Sequence, residues 1–213
     1  MSRVERMRDK VRVVIAGRRA DRSDEMFSGV RPDGQPSLVE CPNCRNPMFP
    51  VFTFPKGAPF LNLPKALAGL ERVTLDVCPH CTHSLDNYFV RLSGAQRVAV
   101  GGYLDDGEAV EHIDLPYASA QVEVVSDRDF DPEGGMIGHQ FGGDPSREEE
   151  RPISACMSCG SGVSFMGCIE YDDSEVPLTE NGGSPVALII GDMDALNLYV
   201  CNECPTINYV YAR

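Results

Sequence analysis

Eight of the nine cysteines stand in four pairs at one spacing: Cys41-Pro-Asn-Cys44, Cys78-Pro-His-Cys81, Cys156-Met-Ser-Cys159 and Cys201-Asn-Glu-Cys204. A gap of two residues lets both thiolates of a tight turn point at one ion, while nearby backbone amides help carry the negative charge on sulfur. Two such knuckles complete a tetrahedral four-sulfur site. A single pair could serve as a redox dithiol, but four pairs at matched positions are more economically explained as metal ligands. Four thiolates leave no open coordination position, so the expected metal is structural and not catalytic, with zinc favoured. Iron in a rubredoxin-like arrangement is the alternative, and the colour of the protein separates the two.

The intervals within consecutive pairs, 33 residues over 45–77 and 41 residues over 160–200, are long enough for strands and an insertion. The two halves also match beyond their cysteines. Leu75-Asp76-Val77-Cys78 corresponds to Leu198-Tyr199-Val200-Cys201, and Asn87-Tyr88-Phe89-Val90-Arg91 corresponds, with one gap, to Asn208-Tyr209-Val210-Tyr211-Ala212-Arg213. An apolar stretch follows each first knuckle, Met48 to Phe54 and Val163 to Ile169. The repeated unit reads knuckle, strand, excursion, strand, knuckle, strand. Pairing within each unit joins Cys41 and Cys44 to Cys78 and Cys81, and Cys156 and Cys159 to Cys201 and Cys204, giving two zinc sites. Spacing alone also permits pairing between the units.

The other reactive side chains form no recognisable catalytic set. Cys168 lies in apolar Phe165-Met166-Gly167-Cys168-Ile169, the setting of a buried inert thiol. His80 and His83 flank Cys81, where outer roles suit them better than ligation. His112 and His139 have no Ser, Cys or second His at a telling distance, and Asp105-Asp106 and Asp172-Asp173 read as turn residues. The run Gly134 to Gly143 lacks the Lys and the Ser or Thr of a phosphate loop, so its glycines are expected to serve backbone turns. Neither a nucleophile with its base nor an open metal site is visible, and the expectation is a protein that is not an enzyme.

The elements that must position the cysteines are mostly short strands. Strand signals fall at Met48 to Phe54, Val73 to Val77, Ala120 to Val125, Val186 to Ile190 and Leu196 to Val200, with a turn at Asp127 to Pro132 and one or two helical turns over Leu63 to Leu70. Val4, Met7, Val11, Val14 and Ile15 fit a helical period over 3–19. The expected fold is therefore α+β and sheet-rich: an N-terminal helix and two zinc-ribbon-like repeats of mostly antiparallel strands. The divisions are a basic helix at 1–22, a linker at 23–37, a first repeat at 38–94, an acidic connecting segment at 95–150 and a second repeat at 151–213, the repeats packed as one unit.

Composition bounds the function. The 213 residues are 42% hydrophobic, too apolar for a disordered chain, and contain no apolar run long enough to cross a membrane as a helix. Cysteine-dense secreted domains are usually short, and Met1 to Arg6 opens without a signal-peptide core, so a reducing, cytoplasmic compartment is expected. The net charge of −13 argues against a whole-surface footprint for nucleic acid or anionic lipid. Charge is unevenly placed. Residues 1–22 carry eight basic side chains against three acidic ones, whereas 101–150 carries 14 acidic ones against Arg128 and Arg147. The basic helix face is solvated or set against an acidic surface, this protein's own or a partner's. The acidic block would steer a basic protein partner, or simply keep the chain in solution.

The run Met136-Ile137-Gly138-His139-Gln140-Phe141-Gly142-Gly143-Asp144-Pro145, the Cys156/Cys159 knuckle with its apolar strand, Ile190-Gly191-Asp192, and Leu198-Tyr199-Val200-Cys201-Asn202-Glu203-Cys204 together resemble the YwqG-like family of bacterial proteins. The likeness covers about residues 134–213, and 38–91 through the internal repeat; the basic N-terminal segment and the second pair of knuckles depart from it. The resemblance implies a compact sheet-rich protein and, from members encoded beside polymorphic toxins, an immunity protein that neutralises a toxin. The alternative is a nucleic-acid-associated zinc-ribbon module using the basic N-terminal helix. The absence of Lys and Arg between Cys156 and Cys204 leaves no phosphate-binding face there.

Overall fold

The computed structural model describes residues 10–18, 27–28, 39–41, 45, 47–55, 58, 60–61, 63–67, 69–77, 87–93, 96–100, 120–129, 138–145, 153–170 and 195–212. Among them, eleven strands form one antiparallel sheet: β1 (Val11–Arg18), β2 (Phe27–Ser28), β3 (Phe49–Pro55), β4 (Arg72–Val77), β5 (Tyr88–Ser93), β6 (Gln96–Val100), β7 (Ala120–Ser126), β8 (Gly138–Phe141), β9 (Val163–Glu170), β10 (Ala195–Cys201) and β11 (Thr206–Ala212). Their order across the sheet is β4-β3-β2-β7-β1-β8-β9-β10-β11-β5-β6. The helical turns expected over Leu63 to Leu70 are a 3-10 turn at Lys65–Leu67. The strand expected at Val186 to Ile190 lies outside the described residues.

The helix expected over 3–19 is corrected over 11–18, while 3–9 and 19 lie outside the described residues. Val11–Arg18 is a strand, paired with β7 on one side and β8 on the other. Val11, Val13, Val14 and Ile15 are β-branched, and Gly17 disfavours a helix interior, so local preference favours the extended state over the helical period. Two basic side chains of this segment are held by the protein's own acidic groups. Arg12 Nε donates to Asp127 Oδ1 at 2.8 Å, its Nη1 donates to the Gly138 carbonyl at 2.9 Å and reaches Glu170 at 3.5 Å, and Lys10 lies 3.7 Å from Asp127. The Arg12 hydrogen bond outweighs desolvation and holds the Asp127 carboxyl below its ordinary value.

Two further readings change. Phe27–Ser28, from the expected linker at 23–37, bridges β3 and β7. The Gly-rich run does not serve turns alone: Gly138–Phe141 is a fully buried strand, and the turn follows at Gly142 and Gly143, with φ of 73° and 66°. The acidic connecting segment at 95–150 thus contributes β6, β7 and β8 to the sheet.

The core lies where the sheet folds over itself. Phe141 meets Phe52 and Phe54 edge to face and Phe60 at a tilt, Phe54 meets Phe60 edge to face and Phe52 stacked, and these ring centroids lie 5.0–6.2 Å apart. Tyr88 on β5 and Tyr209 on β11 stack at 4.5 Å. Tyr88 donates its hydroxyl to the Asp76 carbonyl and the Asp76 N–H donates to Tyr209 Oη, so β4 at one end of the strand order meets β5 and β11 near the other.

The two cysteine-bearing units repeat each other in backbone detail. In the first, Arg45 N–H donates to Cys41 O at 3.1 Å with Arg45 at φ 63°; in the second, Gly160 N–H donates to Cys156 O at 2.8 Å with Gly160 at φ 76°. Eight residues after each of these cysteines comes a matching pair, Phe49 with Val77 and Ser164 with Val200, where Val77 and Val200 immediately precede Cys78 and Cys201. Each first strand then bulges at the tenth residue, Val51 in β3 and Met166 in β9, and both bulged side chains are buried.

Candidate metal centre

Cys156 and Cys159 stand on the turn before β9; Cys201 ends β10 and Cys204 lies in the turn leading to β11. Pairing of β9 with β10 through Val163 and Cys201, and the Asn202 N–H bond to Gly162 O, bring both knuckles to one end of the hairpin. The four Sγ atoms lie within 4.8 Å of one another. Cys156 and Cys204 sulfurs are 3.8 Å apart, and those of Cys159 and Cys201 are 3.5 Å apart. A zinc ion bonded to four sulfurs at about 2.3 Å requires tetrahedral edges of about 3.8 Å. The donor set therefore fits such an ion, and the pairing is within the unit.

Hydrogen-bond donors surround the sulfurs. Cys156 Sγ accepts from Ser158 N–H at 3.4 Å and from Asn208 Nδ2 at 3.7 Å. Cys201 Sγ accepts from the N–H groups of Glu203 and Cys204 at 3.4 and 3.3 Å. The Thr206 hydroxyl shares a 3.1 Å bond with Cys204 Sγ and becomes the donor once that sulfur is ionised. The Ser161 hydroxyl, and then its N–H, pull the exposed Cys159 thiol down to about 6. Burial acts the other way on Cys204, pushed up to about 12, and on Cys201, which is also raised. Four thiolates this close repel one another, and a cation among them offsets that repulsion.

The first unit's ligand set is described only at Cys41, which is buried. Cys44, Cys78 and Cys81 lie outside the described residues, as do His80, His83 and His112. Cys168 is buried against Ala195, Ala212 and Phe165, away from the four sulfurs. His139 is also away from them. Its Nδ1 accepts from Glu170 N–H at 3.1 Å, its ring packs edge-on against Phe52, and burial drives its pKa down to about 3.

Sequence reasoning found the sulfurs but missed the residues that support them, Ser161, Thr206 and Asn208. For Asn208 a signal existed, since Asn-Tyr recurs at Asn87-Tyr88 and Asn208-Tyr209. No family model matches the sequence, and comparison with curated proteins and with solved structures returns no match. Among the described residues, no helix is long and apolar enough to cross a membrane.

Proposed function

We propose that the chain is a non-enzymatic zinc-binding protein of the bacterial cytoplasm. Two closed four-sulfur sites hold its frame, and it binds a protein partner as an immunity protein that neutralises a basic toxin. The observation that carries the metal reading is the Cys156, Cys159, Cys201 and Cys204 cluster, whose sulfur separations match the edges of a zinc tetrahedron. The second site, at Cys41, Cys44, Cys78 and Cys81, is supported by the shared turn, left-handed residue, register and bulge of the two units. Two zinc ions per chain are expected, and one or none by elemental analysis of the purified protein contradicts the two-site reading.

The partner reading rests on the acidic surplus between residues 101 and 150 and on the resemblance to the YwqG-like family. The nucleic-acid alternative loses two of its basic groups, because Lys10 and Arg12 are engaged by Asp127 and Glu170. Co-expression with the neighbouring gene's product tests the partner. A toxic neighbour that the chain neither binds nor neutralises removes the immunity role and leaves the metal reading intact.

A further inference from the structure

Asn208 lies on β11, outside the four-sulfur set, yet its buried side chain reaches three parts of the site at once. Its Oδ1 accepts from Met157 N–H at 3.0 Å, inside the first knuckle. Its Nδ2 donates to Cys156 Sγ at 3.7 Å and to the Tyr199 carbonyl on β10 at 3.2 Å. Both amide protons and the carbonyl oxygen are thereby engaged. The amide faces the sulfur with a donor and the turn with an acceptor, and no other side chain of similar size presents both. Asp would turn an acceptor toward the thiolate, and Leu would offer neither group.

We infer that Asn208 is a positioning residue of the metal centre: its carboxamide fixes the Cys156 knuckle against β10 and donates to the Cys156 thiolate. This rests on the reading of the cluster as a metal site. A donor bonded to a metal-bound thiolate draws charge from sulfur, so Asn208 influences both how tightly the ion is held and the electronic character of the metal–sulfur bond. Arg91 on β5 adds a bond to the same knuckle from outside, its Nη2 donating to Ser158 Oγ at 2.7 Å, but it does not contact sulfur through that bond.

The test uses the full chain. Zinc affinity is measured by competition with a chromophoric chelator, and the sulfur-to-cobalt charge-transfer band is recorded for the cobalt-loaded protein. Asn208→Asp is expected to weaken affinity about 10- to 100-fold and to shift the band. Asn197→Ala, a change at a buried asparagine elsewhere on β10, is expected to leave the band in place even where it lowers stability. A folded Asn208→Asp protein with unchanged affinity and band overturns the inference. A second measurement needs no variant: in cadmium-113-loaded protein, the Asn208 side-chain amide protons should show scalar coupling to the metal through Cys156 sulfur. A metal-loaded protein without that coupling also overturns the role. A chain that binds neither zinc, cobalt nor cadmium overturns the metal reading itself.

Discussion

Acidification should destabilise this protein through one buried imidazole. His139 is fully buried and accepts the Glu170 N–H at Nδ1, so its proton resides on Nε2, which finds no acceptor among the described residues. Burial and, to a smaller degree, the Arg12 charge lower its pKa from 6.5 to about 3. The unfolded chain takes up this proton as pH falls through 6.5, whereas the folded chain resists until about 3. Between those values the unfolded state binds one proton more. His139 therefore contributes stability that is fully present above pH 6.5 and is lost on the way down to about 3, at about 1.4 kcal/mol per pH unit and about 5 kcal/mol over the window. That loss is comparable to the whole stability of a marginal domain. The assay is urea unfolding at a series of pH values for the natural protein and for His139→Gln, which does not titrate. Loss of metal with acid affects both proteins, so the difference between their curves isolates the imidazole. A slope difference of about one proton between pH 4 and 6 is expected. Parallel curves, or an imidazole carbon resonance titrating near pH 6.5, refute the reasoning.

Gly167→Ala should cost about 3 kcal/mol in denaturant unfolding, because a Cβ there would meet the Gln140 carbonyl and the Phe141 ring at 2.6 Å, where β8 and β9 pair; a loss below 0.5 kcal/mol contradicts that packing. Arg45→Gly should stabilise the fold by about 0.5–1 kcal/mol, since Arg45 is exposed and sits at φ 63°; destabilisation shows that its side chain matters more than its backbone. Zinc uptake at pH 7 should release at least two protons, those of the raised Cys201 and Cys204 thiols, as read by calorimetry in buffers of different ionisation enthalpy.

The four-sulfur cluster was legible in the sequence because knuckle spacing is a local property of the chain. Pairing within the unit was the favoured reading, and the structure brings Cys156 and Cys159 to Cys201 and Cys204. The repeat was legible through aligned residues, although its fullest expression lies in the backbone, where Val51 and Met166 bulge at the same distance from their cysteines. The N-terminal segment misled because Val11, Val14 and Ile15 satisfy a helical period while their β-branched side chains favour a strand. Its fate depends on β7 and β8, which lie more than a hundred residues away and supply both its pairing and the acceptors for Arg12. Such long-range pairing leaves little trace in a local pattern. Asn208 was overlooked for a related reason: its value comes from facing Met157 and Cys156 across the hairpin, not from its sequence neighbours.

X-ray absorption at the zinc edge, on protein loaded with zinc and freed of excess metal, tests the closed four-sulfur site most directly. A shell of four sulfurs at about 2.3 Å, with no nitrogen or oxygen ligand, is the expected result. A shell containing light-atom ligands, or a chain that retains no zinc, contradicts it.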